Sequence, residues 1–207
     1  EHWLRLYLEK EPDNLQFRLL DAFLLPQIYT SGTAMQQWRQ RLLQKLEALS
    51  EGLAPTDDAE QDLIMGSPIF DLMVLGQNEK NSLQKISALW RKLFVPERPQ
   101  ALPAHITGKP IRLAWVSFSV YEHSTMAYFK NLMLYFAQSS DFSTAVFYFG
   151  QPYDELTAQI AQSVDSFLQL ELELETGLEK IQAWQPDIVF YLDIGQEAML
   201  YTMAHYR

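Results

Sequence analysis

Residues 111–126, Ile-Arg-Leu-Ala-Trp-Val-Ser-Phe-Ser-Val-Tyr-Glu-His-Ser-Thr-Met, leave this chain few folds to choose from. Apolar residues at Ile111, Leu113, Trp115, Val116 and Phe118 make the run of a buried β strand. After the polar turn His123-Ser124-Thr125 the period changes, and Met126, Phe129, Leu132, Met133 and Phe136 share one face of a helix. Strand, short turn, helix is the first half of a βαβ unit. Ligands of open α/β sheets bind beyond the carboxyl ends of the strands, which is where this turn falls.

The alternation continues downstream. Residues 144–149 (Thr-Ala-Val-Phe-Tyr-Phe) read as a second strand, and residues 153–164 as a helix with Leu156, Ile160 and Val164 inward. Residues 167–174 alternate Leu168, Leu170, Leu172 and Leu174 with Gln169, Glu171 and Glu173, the pattern of a strand with one wet face. Residues 176–184 read as a short helix that Pro186 ends. Residues 187–192 (Asp-Ile-Val-Phe-Tyr-Leu) read as a buried strand closing on Asp193-Ile194-Gly195, ahead of a helix through Arg207. Strands in alternation with helices predict a mostly parallel sheet covered on both faces.

Upstream the pattern is helical throughout. Residues 3–8 read as the end of a helix stopped at Glu11-Pro12-Asp13-Asn14, where Asn14 or Asp13 caps the next one over residues 15–25. After Thr30-Ser31-Gly32-Thr33, a stripe of Met35, Trp38, Leu42, Leu46 and Leu49 predicts an amphipathic helix, with Gln36, Arg39, Gln40, Gln44, Lys45 and Glu47 in solvent. Residues 54–60 form a loop, residues 69–75 a short apolar piece, and Leu83, Ile86, Leu89, Trp90 and Leu93 one side of a last helix. These helix pairs resemble a solenoid without a clear repeat period. Four prolines (Pro96, Pro99, Pro103, Pro110) and Gly108 then mark a stiff connector. The predicted organisation is an α-helical region over 1–95, a Pro-rich linker over 96–110, and an α/β region over 111–207.

Charge and composition remove several function classes. The formal net charge is −10, with 26 acidic and 16 basic residues, so the chain lacks the basic footprint of a nucleic-acid binder. No cysteine is present, which excludes disulfides and thiolate metal sites and suits a reducing, cytoplasmic setting. No apolar run approaches the roughly 18 residues of a membrane span. The four histidines (His2, His105, His123, His205) form no i, i+4 pair on a helix, so no metal site is expected. A chain opening on Glu1 and stopping at Arg207 after a helical stretch reads as a piece of a longer protein.

His123 is the first candidate for chemistry. At a strand-to-helix turn, where Ser124 is placed to cap the helix, free backbone N–H groups attract phosphates and other anions. A histidine there serves as a hydrogen-bond donor or as an acid or base. The alternative is an inert turn histidine in solvent. Asp193 follows the fourth strand and therefore shares that sheet edge; it either holds a ribose, a sugar or an acceptor group, or caps the next helix beside Gly195. Other α/β sites lack their residues. Ser119–Thr125 holds no glycine for a dinucleotide fingerprint, no Gly-Lys-Ser/Thr loop exists, and only Glu122 is acidic after the first strand.

These pieces in order resemble a known family. Val116-Ser117, the turn Tyr121-Glu122-His123-Ser124-Thr125, and Asp187-Ile188-Val189-Phe190-Tyr191-Leu192-Asp193-Ile194-Gly195 resemble the first Rossmann-like half of the catalytic region in O-linked N-acetylglucosamine transferase and Spindly-like proteins, glycosyltransferase family 41. Ala204–Arg207 is similar to the start of a later family segment. Leu25-Pro26-Gln27-Ile28-Tyr29 and Trp38-Arg39-Gln40-Arg41 are similar to a region that precedes the catalytic part in the bacterial branch, near the protein N-glucosyltransferases.

The resemblance implies the N-terminal half of a GT-B fold, incomplete here, in an inverting, metal-independent enzyme with no cofactor. That enzyme moves N-acetylglucosamine or glucose from a UDP-sugar donor to a side chain of an acceptor protein or peptide, Ser/Thr or Asn. It implies His123 as the catalytic residue, facing the cleft near donor and acceptor, with Ser124, Thr125, Asp193 and Gly195 binding substrate. Relatives carry Asn, Asp or Ser around Asp193. The UDP-sugar would be held mainly by a second Rossmann-like half beyond this chain, so this piece alone is expected to be inactive, with neither nucleic acid nor membrane as a partner. The competing reading is a non-catalytic scaffold, whose helical half binds a protein and whose α/β half is structural.

Overall fold

Helix caps and apolar stripes build the N-terminal part as the sequence predicts, and its polar side chains tie the helices together. The computed structural model describes residues 2–52, 69–73, 75–94 and 108–206, which fall into two units, residues 1–98 and residues 99–207. In the first unit α1 spans His2–Lys10, α2 Leu15–Phe23, α3 Gly32–Gly52, α4 Ile69–Met73 and α5 Lys80–Phe94. The Asn14 side chain caps α2 by accepting the Phe17 N–H at 3.1 Å, and the Ser31 hydroxyl accepts the Ala34 N–H at 3.0 Å to open α3. Leu42, Leu46 and Leu49 of α3, with Ile86, Leu89, Trp90 and Leu93 of α5, are buried, and Phe23 stacks on Trp90.

Arg39 departs from the wet face expected of it. Its guanidinium lies 2.7 Å from the Glu79 carboxylate, which is 6% exposed and also accepts the Ser82 hydroxyl at 2.8 Å. Asp21 of α2 similarly holds Arg41 at 2.6 Å and Lys45 at 2.8 Å on α3. The loop expected over 54–60, residues 96–107 of the linker, His105 and Arg207 lie outside the described residues.

In the second unit β1 spans Ile111–Ser117, α6 Ser124–Ala137, β2 Phe142–Tyr148, α7 Glu155–Ser163, β3 Ser166–Gln169, α8 Leu174–Trp184, β4 Ile188–Tyr191 and α9 Ala198–His205. All strand pairs are parallel and the sheet order is β3-β2-β1-β4. This is an α/β fold with the strand order of a Rossmann-like half. Right-handed crossovers put α6 and α7 on one face and α8 on the other. The packing agrees: Leu113, Trp115, Val146 and Tyr148 bury against Met126, Met133, Leu156 and Ile160. On the opposite face Phe147 meets Trp184, and Phe149 approaches Gly177 of α8. Burying each such large apolar side chain contributes about 1.5–3 kcal/mol.

Two strand readings need correction. The strand expected over 167–174 ends at Gln169, which pairs with Tyr148, the last residue of β2. Beyond Leu170, whose N–H still reaches the Tyr148 carbonyl at 2.8 Å, no strand neighbour among the described residues continues the ladder. Leu172 is therefore 63% exposed, while Leu174, Leu178 and Ile181 take helical spacing in α8 and are buried. Among the described residues the strand read as buried over 187–192 is β4 at the edge of the sheet, with Ile188 and Phe190 about four-tenths exposed there. The inner face of Phe190 stacks on Trp115 at 4.9 Å.

Candidate functional site at the carboxyl edge of the sheet

The chain leaves β1, builds β2 and β3 on one side, then returns to place β4 on the other side of β1. Neighbouring strands β1 and β4 thus send their outgoing connections to opposite faces, and such a switch point is the usual ligand position in open α/β sheets. His123 lies in the β1–α6 connection and Asp193 in the β4–α9 connection. Both expected residues flank this switch point.

Asp193 holds the two connections together from beneath. Its carboxylate is 2% exposed. Oδ2 accepts the Ser117 hydroxyl at 2.5 Å and the Phe118 N–H at 2.7 Å, while Oδ1 accepts the Thr125 hydroxyl at 3.0 Å. Its backbone carbonyl accepts the N–H groups of Gln196 and Glu197. Expected to contact substrate or to cap α9 with its side chain, Asp193 does not cap that helix, and both of its carboxylate oxygens accept hydrogen bonds from the protein itself. Thr125, expected in the substrate-binding set, is likewise buried and turned toward Asp193.

The residue that caps α6 is His123, where Ser124 was expected. His123 has extended backbone angles (φ −142°, ψ 158°), and its Nδ1 accepts the Thr125 N–H at 3.2 Å, with the Thr125 hydroxyl oxygen 3.1 Å away. Imidazole nitrogen thus replaces the hydroxyl or carboxylate oxygen that ordinarily performs this task. Nε2 has no hydrogen-bonding partner among the described residues. The Tyr121 ring sits beside the imidazole at 5.4 Å. Ser124 is exposed, and Gly195 closes the Asp193 turn without a positive φ.

A second carboxylate, which the sequence reading passed over, braces the loop from α7. Asp154 caps that helix in a reciprocal capping box with Thr157, and its Oδ2 accepts the Glu122 N–H at 2.7 Å. The Thr157 hydroxyl donates to the Val120 carbonyl at 2.7 Å. Backbone N–H groups of Thr157 and Glu122 hold the Asp154 carboxyl below the usual carboxylate value. The Asp-x-x-Thr spacing after β2 was the available signal. Beneath the loop a Cβ on Gly150 would stand 2.3 Å from the Tyr148 ring and 2.4 Å from the Phe118 carbonyl, so only glycine fits where the β1 and β2 exits cross. Burial pushes the Tyr148 phenol up to about 12, and its hydroxyl donates to the Pro152 carbonyl at 2.5 Å.

Glu197, at the start of α9, is pushed above the usual carboxylate value by burial and by the charge of Asp193. Among the described residues no three His, Asp or Glu side chains gather as a metal-ligating group, and no helix is long and apolar enough to cross a membrane.

No family model matches the chain, and no curated protein matches it in sequence. Among solved structures, a mutant of the Thermobaculum terrenum O-GlcNAc transferase is similar, with a TM-score of 0.54 at 14% identity. The similarity covers 97% of this chain and 37% of that one, so the chain spans little more than a third of its structural neighbour. At this identity the likeness is one of fold: helices followed by a four-stranded parallel sheet, consistent with a partial Rossmann-like half of a GT-B architecture.

Proposed function

We propose that this chain is the N-terminal portion of a cytoplasmic, UDP-sugar-dependent protein glycosyltransferase of family 41, inverting and metal-independent, acting on an acceptor protein or peptide. The placement of His123 carries this reading: its Nε2 has no partner among the described residues and lies at the carboxyl edge of the sheet, beside the β1/β4 switch point. The fold likeness to an O-GlcNAc transferase supports it. In the proposed reaction an acceptor heteroatom forms a bond to the anomeric carbon as the bond to the UDP oxygen breaks. The electron pair leaves with the diphosphate and the acceptor proton passes to solvent. His123 works by placing the reactants and by meeting the charge that develops, the two contributions a fixed polar group makes best.

The test is kinetic. In the natural polypeptide that contains these residues, transfer from UDP-N-acetylglucosamine and UDP-glucose to peptide acceptors is measured for the parent and for His123→Ala. The proposal expects transfer that falls by about 100-fold or more in the variant, the scale of losing a transition-state hydrogen bond; an unchanged rate removes the residue from the site. Because a GT-B donor lies in a cleft between two halves, the 207 residues alone are expected to show no turnover.

A second reading, a scaffold that binds protein through its helices, is favoured by the exposed apolar residues Trp3, Leu20 and Ile28 of the first unit. The encoded sequence downstream separates the two: a second Rossmann-like half with a phosphate-facing lysine supports the enzyme, and a stop codon supports the scaffold.

A further inference from the structure

We infer that His123 meets its ligand as a hydrogen-bond donor through Nε2–H, in a tautomer fixed by its own helix cap, and that it does not accept the acceptor's proton there. The inference rests on the reading above for the identity of the ligand, an oxygen of the nucleotide-sugar donor, but its structural part stands independently.

The argument turns on which protons are free to move. Nδ1 faces two groups of Thr125, the backbone N–H at 3.2 Å and the hydroxyl oxygen at 3.1 Å. The hydroxyl proton rotates about its C–O bond, and the buried Asp193 Oδ1 takes it at 3.0 Å. The backbone proton lies in the plane of its peptide and cannot turn aside. It points at Nδ1 and occupies the space where an Nδ1 proton would sit. A lone pair therefore belongs on Nδ1, and the neutral ring carries its single proton on Nε2. The second nitrogen of an imidazole is set in this way by the bond the first one makes. Nε2, with no partner among the described residues, is then a donor left free for a ligand. Thr125 is the positioning residue, because its backbone N–H supplies the cap, while its hydroxyl donates to Asp193.

The polypeptide described here, labelled with nitrogen-15, gives the test at a pH where the imidazole is neutral. A scalar coupling across the hydrogen bond from the Thr125 amide nitrogen to His123 Nδ1, together with a proton on Nε2, is the expected result. A spectrum without that coupling, or with the proton on Nδ1, overturns the inference. The functional part uses two nearly isosteric replacements in the natural polypeptide, both with a side-chain oxygen able to cap α6. His123→Gln keeps an N–H donor near the Nε2 position, whereas His123→Glu offers only an acceptor. Transfer by Gln is expected to exceed transfer by Glu by about tenfold or more, the worth of a hydrogen bond to a charged oxygen; Glu matching or exceeding Gln makes the residue a base and overturns the donor role. Absence of transfer in the parent protein would remove the glycosyltransferase reading while the coupling still decides the tautomer.

Discussion

At the amino ends of its strands the sheet is closed by Arg112 and Asp187, whereas at the carboxyl ends a closure built on Asp193 leaves one nitrogen of His123 without a partner among the described residues. In the lower closure Asp187 accepts the Arg112 N–H at 2.8 Å and returns its own N–H to the Arg112 carbonyl at 2.8 Å. The Arg112 guanidinium lies 4.2 Å from the Trp184 ring and donates to the carbonyls of Trp184 and Gln185. Each group there answers a group of the protein. The upper closure satisfies its carboxylate just as fully, yet the ring that caps α6 has a second face to offer. The difference is geometric: an imidazole has two nitrogens about 2 Å apart, so one can serve the fold while the other serves a ligand.

Removing the upper carboxylate should do the most damage. Asp193→Ala strands the Ser117 hydroxyl, the Phe118 N–H and the Thr125 hydroxyl in a buried place, and a loss of about 3–5 kcal/mol in denaturant unfolding is expected. A loss under about 1 kcal/mol would mean that the clasp is incidental. Arg112→Ala should cost less, about 1–2 kcal/mol, because the side chain is only partly buried and the backbone carbonyls it leaves are regained in part by water. It should also leave the His123 resonances unmoved; a shift there would show the two ends to be coupled.

Acid should weaken the upper end through Asp154. Its folded-state value is depressed, so its stabilisation is complete above the unfolded carboxylate value of about 4 and is lost as pH falls through the folded one. Asp154→Asn should flatten that part of an acid-unfolding curve; an unchanged slope would contradict the bracing role. Glu197 has the opposite sign. Its value is raised, so the charged form is penalised in the folded state and stability falls as pH rises through that raised value. Glu197→Gln should give a small rise in melting temperature at neutral pH and none in acid, where the parent carboxyl is already neutral.

The strand, turn and helix around His123 were legible because every signal is local: an apolar run, a polar turn and a change of period within 16 residues. The role of Asp193 was not, since its partners Ser117 and Thr125 are 76 and 68 positions away and only the sheet order brings them together. Buried and bonded on both oxygens, it serves as a clasp between the two connections. Arg39 escaped for the same reason, its carboxylate partner belonging to a different element. The leucines at 168, 170, 172 and 174 misled because a period of two says nothing about where the neighbouring strand ends. The apolar run of β4 read as interior, although a sheet's edge and its centre have the same composition when one face is packed.

Determining the structure of the natural polypeptide with UDP-N-acetylglucosamine bound tests the central claim most directly. The account predicts an oxygen of the nucleotide sugar within about 3.2 Å of His123 Nε2, beside the β1 and β4 exits. A donor seated at the Arg112 end, or bound with the imidazole facing away, would contradict it.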